Sequence, residues 1–156
     1  MENLTITKEN AIKAFDGAND KGKNLLKNLF GEKVFVKNIM DRIKTVEDAL
    51  VYNGKTVAQF NWETERDSDA QKADKEIEEI AMALREGKTL EMGQKWYYPY
   101  FYKPTGSSSS FSGNGYLYAD DCASVGARRS VDTPEKAIYM GKQFAAIYTR
   151  SLAPSR

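Results

Sequence analysis

Few residues in this chain have the type and spacing to do covalent or acid–base chemistry. Asp120 and Asp121 stand next to each other, directly before the single cysteine, Cys122. A carboxylate pair can hold a divalent cation or share a proton. Neighbouring residues on a loop usually point apart, however, and no third ligand lies nearby in sequence. A thiol nucleophile at Cys122 would need a base to activate it. The chain has no histidine, which removes the commonest general base and the usual zinc ligand. The simpler reading of Cys122 is a small half-buried thiol. Ser107–Ser110 has no accompanying base. Gly106 and Gly113-Asn114-Gly115 lack the Lys-Ser/Thr ending of a phosphate-binding loop. The expectation is a protein without catalytic residues, metal site or cofactor. A metal-dependent nuclease built on Asp120 and Asp121 is the enzymatic alternative.

Binding chemistry is better represented. Residues 95–103 read KWYYPYFYK, with six aromatics among nine residues. In an extended strand, alternate side chains share a face. Trp96, Tyr98, Tyr100 and Tyr102 then fall on one side, and Tyr97, Pro99 and Phe101 on the other. Pro99 has no N–H to give a ladder, which puts this strand at a sheet edge or at a bulge. Exposed tyrosines flanked by Lys95 and Lys103 could anchor a protein or stack on bases. Arg128 and Arg129, on a third strand, would add a charge that reaches a phosphate or an acidic partner. The candidate partner-binding set is therefore Lys95, Trp96, Tyr98, Tyr100, Tyr102, Lys103, Arg128 and Arg129. The competing reading gives the aromatics to the core, where Trp and Tyr supply much of the volume of small domains. It gives the arginines to a solvated edge that resists aggregation.

The elements that must position these residues change character along the chain. Thr7 is a candidate N-cap for a helix to about Phe15, interrupted at Asp16-Gly17. A second helical pattern spans about Asn19–Phe30, with Leu25, Leu26, Leu29 and Phe30 forming its stripe and Gly31 closing it. Val34-Phe35-Val36 suggests a short extended piece. Thr45-Val46-Glu47-Asp48 resembles a capping box that opens a helix ending at Asn53-Gly54. Residues 55–68 read as a linker in which Val57, Phe60 and Trp62 alternate as in a short strand. The clearest helix is Asp69–Glu86, with Ala73, Ile77, Ile80, Ala81 and Leu84 on one face, the Glu76–Glu79 region solvated, and Gly87 as the stop. Strands are expected at Trp96–Tyr102, Gly115–Ala119 and Ala127–Val131, the first two joined by the GSSSS loop. Thr133 and Pro134 then start a last helix to about Leu152, where Gly141 allows close approach, and Ser151–Arg156 is a frayed tail. The fold class is α+β: N-terminal helices, a small three-stranded antiparallel sheet, and a C-terminal helix packed on it.

A chain of 156 residues suits a single domain able to bury its own core without staples. Here that domain has a mainly helical part, 1–94, and an aromatic-rich part, 95–156. Its 23 basic and 22 acidic residues nearly cancel. They are unevenly spread: residues 1–94 hold 15 Lys+Arg and 18 Asp+Glu, whereas residues 95–156 hold 8 and 4. Twelve of the 18 aromatics also follow residue 94. This mild positive charge falls short of the basic footprint typical of nucleic-acid binders. No run approaches the roughly 20 apolar residues that cross a bilayer, and the N-terminus does not read as a signal peptide. A cytoplasmic protein of a bacterial host cell, with no membrane partner, is the expectation.

The runs DRIKTVEDAL (41–50), KWYYPYFYK (95–103) and SVGARRSVDTPEKAIYMGKQFAAIY (124–148) together resemble a group of small uncharacterised proteins. These occur in phages and mobile elements of gut Bacteroidales. Their final helix follows a pattern similar to Ala137-Ile138-Tyr139-Met140-Gly141-Lys142-Gln143-Phe144, while Ser107–Ser110 departs from a loop that often carries aromatics. The resemblance implies a viral or mobile-element accessory protein and carries no catalytic residue with it. The functional expectation is a non-enzymatic binding module that antagonises a host-defence or nucleic-acid-processing machine, an anti-CRISPR-like inhibitor among the candidates. A virion structural or homo-oligomeric protein is the first alternative, and a nucleic-acid-binding protein the second. A protein partner is expected ahead of nucleic acid.

Overall fold

The computed structural model describes residues 6–89, 91, 93–102, 112–119 and 127–152. The chain divides into two compact units, Met1–Arg42 and Ile43–Arg156. Residues 43–94 of the mainly helical part share the second unit with the aromatic-rich residues 95–156. The helices after Ile43 pack with the aromatic strands, as shown below, and the first 42 residues stand as a unit of their own.

The first unit holds α1 (Lys8–Gly17), α2 (Asp20–Phe30), a 3-10 turn (Glu32–Phe35) and α3 (Ile39–Arg42). The Thr7 side chain accepts the backbone N–H of Asn10 and caps α1 as the sequence predicts, and the Asn19 side chain accepts that of Gly22 to cap α2. Asp16 and Gly17 stay inside α1, so the interruption falls one residue later, at Ala18. Val34 and Phe35 belong to the 3-10 turn rather than to an extended piece. The turn carries the Phe35 ring onto Phe15, stacked at 4.2 Å, with Phe30 edge-on at 6.4 Å. Aromatic packing thus takes the place of a ladder. Leu25 and Leu29, one turn apart on α2, remain exposed.

The second unit is built around one helix. α4 (Val46–Tyr52) begins with the complete Thr45/Asp48 capping box. The stretch expected to be a linker or strand is instead α5 (Val57–Glu63), capped by the Thr56 hydroxyl. Its apolar residues do not alternate across a sheet: Phe60 is buried and Trp62 is exposed. α6 (Asp69–Leu84) follows, with Ser68 and Gln71 forming a second capping box. Its residues Ala73, Ile77, Ile80, Ala81, Ala83 and Leu84 are fully buried. Each large aliphatic side chain so removed from water contributes roughly 1.5–3 kcal/mol. Glu76 and Glu79, expected on a solvated face, are also buried. α4 and α8 pack against α6, and the face left to solvent is the one that carries Gln71, Lys75 and Met82. The two carboxylates are retained because they are paired. Glu79 accepts hydrogen bonds from Asn53 and from Lys55 at 2.8 Å, and Glu76 accepts one from Arg150.

The sheet has two strands, β1 (Trp96–Tyr102) and β2 (Ser112–Ala119), antiparallel in the register Trp96↔Ala119, Tyr98↔Leu117 and Tyr100↔Gly115. A bulge follows Tyr100, where Phe101 faces Gly113 and Asn114 is the extra residue. The α+β class therefore holds, but the third strand does not form. Ala127–Arg129 is a 3-10 turn, and only Val131 pairs with β1, through reciprocal backbone bonds with Tyr97 of 2.9 and 2.8 Å. The predicted last helix is two helices, α7 (Pro134–Gln143) and α8 (Ala145–Leu152). Phe144 breaks them at φ −111°, ψ 25° and is itself buried. The break lets α7 lie on the sheet while α8 lies along α6. Thr133 and Pro134 start α7 as the sequence predicts.

Candidate interaction surface

The bonds between Tyr97 and Val131 set the orientation of the whole ribbon. Backbone groups of successive strand residues point to opposite edges. Tyr97 directs its N–H and C=O away from β2, toward Val131. Pro99, two residues on, has its missing N–H on that same open side, so it deprives the β1–β2 ladder of nothing. This is the edge position that Pro99 predicts.

Side chains sort in the same way. Tyr97, Pro99, Tyr116 and Tyr118 share one face, since directly opposed residues project together. The Tyr97 ring meets Tyr116 edge-on at 5.4 Å and lies 6.4 Å from Tyr118. This face rests on α7, where Gly141 makes the fit possible. A Cβ there would lie 2.9 Å from the Pro99 Cβ and 3.5 Å from the Phe101 ring. Phe101, past the bulge, packs on Tyr148 of α8 at 4.6 Å between centroids. Trp96, Tyr98, Tyr100 and Leu117 share the other face. Trp96 is only 8% exposed, and its indole N–H donates to the Glu91 carbonyl at 3.3 Å. Tyr98 is half-buried, whereas Tyr100 is 47% and Leu117 45% exposed.

The residues expected at a contact surface therefore separate. Trp96 belongs to the core. Arg128 and Arg129 leave a 3-10 turn instead of opposite sides of a strand. Arg129 is held by Asp74 at 3.1 Å, while Arg128 is largely exposed, with Glu78 at 3.9 Å. Lys95 is exposed and its ammonium sits 4.7 Å from the centre of the Tyr118 ring, a cation–π contact. Tyr102 ends β1; its side chain lies outside the described residues, as do Lys103, Ser107–Ser110, Asp120, Asp121 and Cys122. What remains exposed on the ribbon is Tyr100 and Leu117 on one face and, toward the other, Tyr116 and Tyr118 with Lys95 beside the Tyr118 ring. Three of these five come from β2 and were not singled out from the sequence. The signal was present: GYLYA is a strand without charge or proline, features with which natural edges are usually guarded.

The polar clusters nearby hold the fold. Asp132 accepts hydrogen bonds from Lys88 and from Lys136, and Lys136 also donates to Glu86 at 2.7 Å. Burial alone would raise the Asp132 pKa, but the Lys88 and Lys136 bonds outweigh it and hold the carboxyl below its ordinary range. Burial likewise acts to lower the Lys136 pKa, and the bonds to Glu86 and Asp132 reverse this. Together they secure the Val131 junction beside β1. A polar hollow of about 530 Å³ opens here, lined by Lys88, Thr89, Glu91, Gln94 and Asp132 among others. A smaller apolar cleft of about 130 Å³ lies between Pro99, Phe101, Tyr148 and Leu152. Burial pushes the Tyr148 phenol well above its usual pKa, so it stays protonated. Among the described residues, no three acidic, cysteine or histidine side chains converge as metal ligands would. No helix among them is long and apolar enough to cross a membrane.

No protein-family model matches this chain, and no curated protein or solved structure matches it.

Proposed function

We propose that this protein is a non-enzymatic binding module, an accessory protein of a phage or mobile element, that grips a protein partner through the open face of its aromatic ribbon. The observation that carries this reading is the exposure of Tyr100 and Leu117 side by side on a sheet whose other face rests on α7. Large apolar side chains held on a rigid scaffold suit the centre of a protein contact, where aromatic anchors dominate affinity. Host-defence and nucleic-acid-processing machines are the class of target, and the bacterial cytoplasm the place of action.

The test is a Tyr100→Ala/Leu117→Ala double variant used as bait beside the wild-type protein in extracts of phage-infected cells. Partners specific to the wild type should be lost, with the thermal melt little changed because both side chains are exposed. Retention of every partner would sink the proposal. A nucleic-acid ligand would instead announce itself by affinity that falls steeply between 50 and 200 mM salt, roughly 10³-fold or more for six or more phosphate contacts.

A further inference from the structure

The second strand has an edge that nothing in the described structure occupies. Because Tyr97 points its backbone toward Val131, the Tyr97↔Tyr118 and Pro99↔Tyr116 pairs are the non-hydrogen-bonded ones. It follows that Tyr116 and Tyr118 direct their N–H and C=O groups away from β1. Among the described residues no backbone bond reaches them. Their side chains are 41% and 52% exposed. Residues 112–119, SGNGYLYA, contain no charge and no proline. Natural edges are commonly protected by such residues, and β1 has Pro99 on its open side.

We propose that this edge pairs with the same edge of a second copy, giving a four-stranded sheet in the order β1–β2–β2′–β1′. A twofold axis at Leu117 brings Tyr116 opposite Tyr118 of the second copy and Tyr118 opposite its Tyr116. Both are residues whose backbone groups already face outward, so the register completes two hydrogen-bonded pairs and four bonds. Self-pairing of one patch is what a twofold dimer requires. Charge permits it as well. The pairing strand, Ser112–Ala119, carries no charge, so no like charges are opposed along it. Aromatic pairs across strands add to the ladder. The two copies of Leu117 would also meet on one face, joining the Tyr100–Leu117 surfaces of both chains. The proposed partner-binding face would be doubled, but the dimer itself does not depend on that reading.

Sedimentation equilibrium of the full chain tests the pairing. A concentration-dependent dimer is expected. Tyr118→Pro, which removes an outward N–H and spares the β1 ladder, should weaken it at least about tenfold. Should that variant fold poorly, charge provides a second test. Tyr116→Lys/Tyr118→Lys and Tyr116→Glu/Tyr118→Glu variants oppose like charges across the axis and should each be monomeric. Mixed together, they should form a heterodimer. A wild-type monomer at millimolar concentration would overturn the proposal, as would a dimer that Tyr118→Pro leaves unchanged or charge variants that fail to complement. A monomer that still loses partners in the Tyr100→Ala/Leu117→Ala variant would reject the pairing and leave the partner-binding reading standing.

Discussion

The two strands of the ribbon have opposite relations to the core. β1 is the denser in aromatics, yet its Trp96 and Pro99 are buried, Tyr98 is half-buried, and Phe101 is packed on α8. β2 has two tyrosines and a leucine in its last residues, and all three are exposed. The difference comes from neighbours. α7 lies beneath both strands, but β1 has β2 on one side and the Val131 junction on the other. β2 has β1 alone as a strand neighbour among the described residues. Aromatic density therefore marks the strand that was needed for the core, and the exposed surface falls largely to its plainer partner.

The strongest way to break this contrast is to truncate one anchor on each strand. Trp96→Ala should cost about 3–5 kcal/mol in urea unfolding, the usual range for a buried aromatic. Leu117→Ala should stay within about 0.5 kcal/mol, as exposed substitutions generally do. Equal losses would mean that β2 is as deeply committed to the core as β1. A smaller effect is expected beneath β1. Gly141→Val would force a side chain against Pro99, and overpacking of this kind costs about 1–3 kcal/mol. The loss should be read from the denaturation midpoint.

The mildest test concerns the Val131 junction, through the charge of Asp132. Its carboxyl pKa is lower in the folded protein than in the unfolded chain. Its contribution is therefore complete above the unfolded value, about 3.9, and is lost as pH falls through the folded value. Thermal melts should show an acid-dependent loss below about pH 4 that Asp132→Asn reduces. An identical acid profile in the variant would remove Asp132 from the account of how β1 is fastened.

Much of the fold was legible in local chemistry. Thr7, Thr45 and Thr133 cap helices where their sequences predict, because a cap is decided within four residues. The α6 stripe and the close approach at Gly141 were readable for the same reason. The misreadings share a different cause. Phe60 and Trp62 alternate as in a strand, but the Thr56 cap and burial of Phe60 make that segment helical. Glu76 and Glu79 look solvated until α4 and α8 pack against α6 and basic partners from elsewhere in the chain neutralise them. A continuous last helix could not serve two neighbours, so it divides at Phe144.

The sequence by itself determined the helix starts at Thr7, Thr45 and Thr133, the α+β class and the edge character of Pro99, all consequences of short-range hydrogen bonding and side-chain geometry. Tertiary structure decided which aromatics are buried. It reduced the third strand to a single pairing at Val131, withdrew Trp96 and Arg129 from the candidate surface, and left Tyr116, Leu117 and Tyr118 exposed. Burial depends on what packs against a residue from elsewhere in the chain, and alternation along one strand does not contain that information.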